Sequence, residues 1–332
     1  MIVGAARPPL GWLRSPGFDL TMIMGVLGLA LGLGVAASAR PGWFVPVLLV
    51  DLWLLAYPHV AATWVRVGVV RGGGFAQPVW LVALFPLVLA STALLWLAGG
   101  ALVLTSVYYH WQGFHYTRQS YGIARTYQRV GGSSGRDWLS DLVVFGFPVW
   151  GWLHRCAGGA TNFLGQPLWL PPVPSFVASL AGAAATALLV LWLWRAPRDR
   201  SGHTLFVLSH VVITVVSYVA VSEITRGWLF VNIWHNAQYL LFVWERNAAP
   251  PSGEVGVSPR WPNRFSRAEN WPAYAGLVLA LGVGAYLLLN GFAAHFSAAV
   301  LGGALVLHQS VNFHHYLVDS VIWRSPNVRA GR

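Results

Sequence analysis

Long apolar runs constrain this chain more than any other feature of its sequence. Several of them reach about 20 residues, the length at which a helix crosses the hydrocarbon core of a bilayer. Charged residues make up 9% of the chain, whereas soluble domains carry about a quarter. We therefore predict an all-α fold, a polytopic integral membrane helix bundle.

The apolar runs and the turn signals between them predict ten transmembrane helices in a single transmembrane domain, residues 1–332. Glycine or proline clusters break the pattern at 71–74, 99–100, 131–132 and 171–174. The longest polar stretch, 247–270, is predicted to be a loop. The first run follows two arginines and precedes "AASA", as in a signal peptide, but we expect it to stay as an uncleaved first span. The predicted spans are roughly 18–38, 43–65, 78–98, 100–123, 138–155, 172–194, 203–224, 227–245, 271–291 and 294–322.

All basic residues are arginines, and ten spans distribute them unevenly between the two sides of the membrane. Eighteen share the side of the N-terminus, and the other side holds three, Arg40, Arg155 and Arg226. The positive-inside rule makes the richer side cytoplasmic. We expect both termini and the loop 247–270 to be cytoplasmic, in a bacterial-type inner (cytoplasmic) membrane. Because the arginines fall in short loops between apolar spans, the net charge of +11 indicates a lipid bilayer as the partner and no nucleic acid.

Polar side chains inside the spans are unfavourable in hydrocarbon and usually mark a site in the protein interior. They concentrate in the even-numbered spans two, four, eight and ten, all predicted to run from outside to inside. In each, the histidines lie at mid-span or in the cytoplasmic half. A shared depth on four helices indicates one centre that binds something. The residues are Asp51 and His59 in span two; His110, Gln112 and His115 in span four; Asn232, His235, Asn236 and Gln238 in span eight; and His308, Gln309, Asn312, His314, His315 and Asp319 in span ten.

Span ten has the clearest pattern. His308, Asn312, His315 and Asp319 follow the spacing i, i+4, i+7, i+11, which is one face of a helix. His314 lies roughly 100° from His315 around the helix axis, so either could point toward the centre.

Imidazole is the commonest protein ligand for transition metals, and nitrogen-rich sites suit iron, copper and zinc. The one cysteine, Cys156, excludes a cysteine-rich metal or Fe–S site. We predict one or two transition-metal ions, with iron preferred and O₂ as co-substrate. The candidate metal ligands are His59, His110, His115, His235, His314 and His315. The candidates for orienting them by hydrogen bonds are Asp51, Asn232, Gln238, His308, Asn312 and Asp319. Tyr239, on one helix face with His235 and Gln238, could donate a proton to an oxygen intermediate.

Four short stretches, in the same order, resemble the bacterial membrane carotenoid-cleaving Brp/Blh family. They are "YPHVAAT", "YYHWQGFH", "NIWHNAQYLLFVW" and "HHYLVDSVIWR". The resemblance implies a membrane-embedded, histidine-ligated iron that cleaves β-carotene to retinal, with His59, His110, His235 and either His314 or His315 as ligands. The chain differs from the family pattern at three positions. Thr63 and His115 stand where the family has carboxylates, and Tyr239 replaces the second histidine of a pair.

Three functions can be compared with these residues, and two of them fit. The preferred one is a histidine-ligated non-haem metal oxygenase acting on a lipophilic, isoprenoid or carotenoid-like substrate, with Asp319 and Tyr239 assisting the reaction. The alternative is a haem- or pigment-binding or assembly subunit of a larger membrane complex, in which one or two histidines serve each macrocycle. A transporter would need polar residues across the whole membrane depth, and their concentration in the cytoplasmic half argues against it.

Overall fold

The computed structural model of the chain describes residues 11–69, 76–132, 135–195, 201–248, 265, 267–297 and 302–323. Helices dominate these residues, as the apolar runs predict. They are α1 (Pro16–Ala39), α2 (Phe44–Asp51, then a π-helical turn Leu52–Ala56, then Tyr57–Val69), α3 (Ala76–Val130), α4 (Trp138–Gly158), α5 (Ser175–Arg195), α6 (Ser201–Val215, continued by a π-helical turn Val216–Ala220), α7 (Ile224–Ala248), α8 (Trp271–Ser297) and α9 (Gly303–Ile322).

Short elements complete the described chain. Helix α1 contains a π-helical turn, Thr21–Gly25, and 3₁₀ turns at Pro41–Trp43 and Ala268–Asn270 precede α2 and α8. Two-residue strands β1 (Asn162–Phe163) and β2 (Gln166–Pro167) pair between α4 and α5.

Six described helices are long and apolar enough to cross a membrane, which supports a multi-pass membrane protein. They are Pro16–Ala39, Pro41–Val67, Ala83–Val130, Ser175–Arg195, Ser201–Ala220 and Trp271–Ala294. Each of the ten predicted spans contains a helix, but the count of ten membrane crossings stays a prediction. The start of span ten was wrong, because α8 continues through residue 294 and α9 begins at Gly303.

Turn signals in the sequence mark real interruptions. The two glycines at 99–100 break α3, and Gly100 has a φ of 60° that favours glycine. Residues 171–174 are non-helical, and α5 begins directly after them. The predicted glycine turn at 71–74 and most of the predicted loop 247–270 lie outside the described residues.

The residues group into two compact units, each built from three stretches of chain. The first unit is Met1–Leu48, Gly113–Leu164 and Leu170–Gln238. In it, α4 packs on α5 and α6, and α6 contacts α1. The second unit is Leu49–Gln112, Gly165–Trp169 and Tyr239–Arg332. In it, α8 packs on α2 and α9, and α9 also contacts α2. A single transmembrane domain stays a prediction.

Close helix packing in the second unit fixes the part of α2 that carries His59. A Cβ on Gly282 of α8 would lie 2.7 Å from the backbone of Tyr57 and Pro58, so only glycine allows this approach. One turn further along α8, Tyr286 stacks on Tyr57 with ring centroids 3.6 Å apart. The backbone immediately before His59 is therefore held against α8.

Candidate metal centre

A buried polar cluster lies where α2, α9 and the first residue that α7 contributes to the second unit meet. We call it the His59 cluster, and its members are His59, Thr63, Tyr239, His315 and Asp319. None of the five is more than 7% exposed. The Nε2 atoms of His59 and His315 are 2.8 Å apart. The possible ligand atoms of His59, His315 and Asp319 all lie within 4.8 Å of one another.

Thr63, one turn after His59 on α2, connects three members of the His59 cluster. Its Oγ1 lies 2.8 Å from the Tyr239 hydroxyl, 3.1 Å from Asp319 Oδ1 and 3.1 Å from His315 Nδ1. A threonine hydroxyl has one hydrogen, and two of these neighbours are oxygens that can accept it. We therefore assign the hydrogen between Thr63 and His315 to Nδ1, which donates to Oγ1. That tautomer directs a lone pair from His315 Nε2 toward His59.

The two carboxylate oxygens of Asp319 have different surroundings. Oδ1 accepts hydrogen bonds from the Tyr239 hydroxyl at 2.7 Å and from Thr63. Oδ2 lies 3.8 Å from His315 Nε2, one helical turn away on α9. Tyr239 and Thr63 thus hold the carboxylate by Oδ1 and leave Oδ2 near His315 Nε2.

This donor set fits a transition-metal ion. Two nitrogens bound at right angles to one ion, each about 2.0–2.1 Å away, lie about 2.9 Å apart, close to the 2.8 Å between the two Nε2 atoms. Two histidines and one carboxylate are the ligands of non-haem iron sites with open positions. The hydrogen bond from His315 Nδ1 to Thr63 is the kind of contact that orients a ligating imidazole.

The same distance disfavours a macrocycle held between these histidines. Two axial nitrogens on opposite sides of a metal would lie about 4 Å apart, twice a bond of about 2.0 Å. The observed 2.8 Å is shorter, and it leaves no space for a ring between the two imidazoles.

On α9, which corresponds to span ten, His315 belongs to the His59 cluster, whereas His314 lies among aromatic side chains. The His314 ring stacks on Trp64 with centroids 5.0 Å apart and meets Phe85 edge-on at 5.5 Å. His308 Nε2 lies 2.8 Å from Asn290 Oδ1 on α8, and Asn312 donates to Gln309 at 3.3 Å. The predicted orienting roles of His308 and Asn312 stay predictions.

His110 and Asp51 are in the second unit but outside the His59 cluster. His110 Nδ1 donates to the Ser106 carbonyl at 2.6 Å, which leaves Nε2 as an acceptor. Asp51 is fully buried next to the π-helical turn Leu52–Ala56. A ligand role for His110 stays a prediction.

The remaining candidates belong to the first unit. His115 and His235 are buried with ring centroids 5.0 Å apart, edge to face. Tyr116 packs on His235 at 4.2 Å, and its hydroxyl donates to Asn232 Oδ1. Gln238 is fully buried, and its amide atoms have no hydrogen-bond partner among the described residues. The predicted convergence of all four histidine-bearing helices on one centre stays a prediction.

Thr63 was not predicted to have a functional role. Its position four residues after His59 places it on the same helix face, and that spacing was the signal available. Tyr239 was predicted to act on an oxygen intermediate, whereas its hydroxyl contacts Asp319 and Thr63. Both residues differ from the Brp/Blh pattern, and they lie side by side.

Comparison of the chain with protein-family models, with curated proteins and with solved structures found no match.

Proposed function

We propose that the protein is a membrane-embedded, non-haem metal oxygenase that acts on a lipophilic substrate. The observation that carries this proposal is the His59 cluster, in which two imidazoles and one carboxylate bring buried donor atoms within 4.8 Å of one another. A buried set of unlike polar groups is unfavourable in a membrane protein unless it serves a site. The proposed ligands are His59, His315 and Asp319, and the proposed ion is iron.

The cluster's own residues hold the donor atoms in place. Tyr239 and Thr63 bind one oxygen of Asp319, and Thr63 accepts from His315 Nδ1. Iron bound there would supply binding and activation of O₂ next to a C=C or C–H bond. Apolar helices around the cluster suit an isoprenoid or carotenoid-like substrate, which the resemblance to the Brp/Blh family also implies.

The arginine distribution supports the proposed location. We place the protein in a bacterial-type inner membrane with both termini cytoplasmic, because eighteen of its arginines fall on that side. The His59 cluster then lies in the cytoplasmic half of its span.

Metal content of the purified protein tests this proposal. We expect iron, or another transition metal, near one ion per chain in the wild type, and a loss of at least tenfold in His59→Ala, His315→Ala and Asp319→Asn. The control is His314→Ala, which removes the adjacent histidine that stacks on Trp64 and should leave the metal in place. Equal metal content in His315→Ala and His314→Ala would contradict the proposal.

Two further measurements extend the test. Metal content in His115→Ala and His235→Ala shows whether the histidines of the first unit also contribute ligands. If wild type and His314→Ala bind iron, O₂ consumption with candidate isoprenoid and carotenoid substrates tests the oxygenase activity. An absorbance spectrum typical of haem or pigment in the wild type would instead support the macrocycle-binding alternative.

A further inference from the structure

Arg66 forms a second polar site that the proposed function does not use. It lies on α2 one turn beyond Thr63 and is partly buried. Its Nη1 donates to the Arg246 carbonyl at 3.1 Å and to Asn247 Oδ1 at 2.8 Å. Its guanidinium carbon lies 5.0 Å from the centre of the Trp323 ring. The Nε atom is buried and has no hydrogen-bond partner among the described residues.

No carboxylate forms an ion pair with Arg66 in the part of the chain that the structure describes. A neighbouring residue, Arg246, is itself a cation. Burying a cation without a counter-charge is unfavourable, and a second cation adds to the repulsion. An anion supplied from outside the chain would balance the charge of Arg66.

Two other arginines show what is different about Arg66. Arg136 is exposed and pairs with Asp141 at 2.6 Å, so its charge is balanced within the chain. Arg155 is buried, but it donates to three carbonyls, those of Ser217, Val221 and Ser222, at and just beyond the end of α6. Arg66 donates to one backbone carbonyl and one amide oxygen, both from Nη1, so fewer oxygens surround its charge than surround that of Arg155.

The position of Arg66 indicates which anion it meets. It is the second-last residue of the membrane-crossing segment Pro41–Val67, and so it lies at the depth of lipid headgroups. Phosphate is the oxyanion of that layer, and basic pockets between membrane helices bind it. Asn247 and Tyr274 are neighbours of each other and of Arg66, and both carry donors.

We propose that Arg66, Asn247 and Tyr274 form a binding site for a phosphate group, with a phospholipid headgroup as the main source. Arg66 supplies the charge and the free Nε–H, and the Asn247 amide and the Tyr274 hydroxyl supply further donors. The site does not depend on a metal in the His59 cluster.

Native mass spectrometry of the detergent-solubilised protein tests this site with two lipids of identical acyl chains. Phosphatidylglycerol carries the phosphate, and diacylglycerol lacks it. We expect one phosphatidylglycerol to bind the wild type and diacylglycerol to bind at least tenfold more weakly, because a hydrogen-bonded charge pair is lost. Equal binding of the two lipids would overturn the proposal.

Two variants locate the binding. Arg66→Gln removes the charge, and Asn247→Asp places a carboxylate where the Oδ1 atom now lies 2.8 Å from Arg66. Both should weaken phosphatidylglycerol binding at least tenfold, and Asn247→Asp should fold even if Arg66→Gln does not, because it balances the charge internally. The control Arg136→Gln, at an arginine that already has a carboxylate partner, should bind like the wild type. Wild-type affinity in folded Asn247→Asp would overturn the proposal.

Inorganic phosphate distinguishes the two sources of the group. If it displaces phosphatidylglycerol from the wild type, the site also takes free phosphate. If it does not, while Asn247→Asp still abolishes lipid binding, the phospholipid is the source. Unchanged metal content in Asn247→Asp would show that this site and the His59 cluster are independent.

Discussion

A single residue step on α9 separates a possible metal ligand from a histidine in an aromatic contact. His314 and His315 are adjacent, yet one stacks on Trp64 and the other meets His59. The helical spacing from His308 to Asp319 favoured His315, but it could not decide between the two, because rotation of a helix about its axis is set by its neighbours. The structure supplies that rotation through the contacts of Asp319 with Thr63 and Tyr239.

The role of the Thr63 hydroxyl can be tested by substituting this one residue. Thr63→Val keeps the shape of the side chain and removes the hydroxyl that contacts His315, Tyr239 and Asp319. Loss of such an orienting contact lowers metal affinity about 10–100-fold, and we expect that loss in a chelator competition assay. Thr63→Ser keeps the hydroxyl and should stay within a few-fold of the wild type. A Thr63→Val protein with wild-type affinity would show that the hydroxyl does not orient the ligands.

Four of the five members of the His59 cluster were among the predicted site residues. Histidine and aspartate are unfavourable in apolar spans, and Tyr239 shares a helix face with His235. Thr63 was not predicted, since a threonine inside a membrane helix usually bonds to its own backbone and its spacing of four residues from His59 is a weak signal. Such bonds occur here at Thr92 and Thr117. Thr63 instead bonds across helices, and only packing reveals that.

At the scale of elements, turn signals in the sequence predicted where helices are interrupted, but they did not predict where a helix departs from regular α-helical geometry. The glycine pair at 99–100 breaks α3, and the prolines at 171–174 lie directly before the start of α5, as predicted. The π-helical turn Leu52–Ala56 had no signal, and it lies between Asp51 and His59. A π turn adds a residue to the helical repeat and so changes the rotation between residues on its two sides, which a 3.6-residue period does not predict.

The contact between α2 and α8 can be tested at one glycine. Gly282→Ala would place a Cβ 2.7 Å from the backbone of Tyr57 and Pro58 and force the two helices apart. Overpacking of this kind destabilises a protein by about 1–3 kcal/mol. We expect a lower thermal unfolding midpoint in detergent and reduced metal content, because His59 follows this contact directly.

Gly284→Ala is the matched control for that variant. It lies two residues further along the same helix, and an added Cβ there meets nothing within 4 Å. It should unfold near the wild-type temperature and keep its metal. Glycine is a poorer helix former than alanine, so the substitution itself should not destabilise the helix. Equal destabilisation by the two substitutions would show that the effect does not come from the approach of α2.

At the scale of the whole molecule, the apolar runs predicted the all-α membrane fold. Hydropathy divides the ten predicted spans into those that lie in one of the six membrane-crossing candidates and those that do not. Helices α4, α7 and α9 are not among the six membrane-crossing candidates, because polar residues lower their hydropathy. Helices α7 and α9 carry Tyr239, His315 and Asp319 of the His59 cluster. The polar residues of the His59 cluster thus lower the hydropathy of the helices that carry them, so hydropathy alone does not mark these helices as membrane-crossing candidates.

The arginine distribution nevertheless makes ten crossings testable. Ten crossings place the exposed residue Gly135, before α4, in the cytoplasm and the exposed residue Thr161, after α4, outside. In a Cys156→Ser background, a membrane-impermeant maleimide should label Thr161→Cys in intact cells and Gly135→Cys only after permeabilisation.

Labelling of both positions in intact cells would mean that α4 does not cross the membrane, because its ends would then lie on one side. The reverse pattern would invert the topology and place the arginine-rich loops, with the phosphate site at Arg66, on the outer side. Native Cys156 is buried, so the background substitution should leave the fold intact.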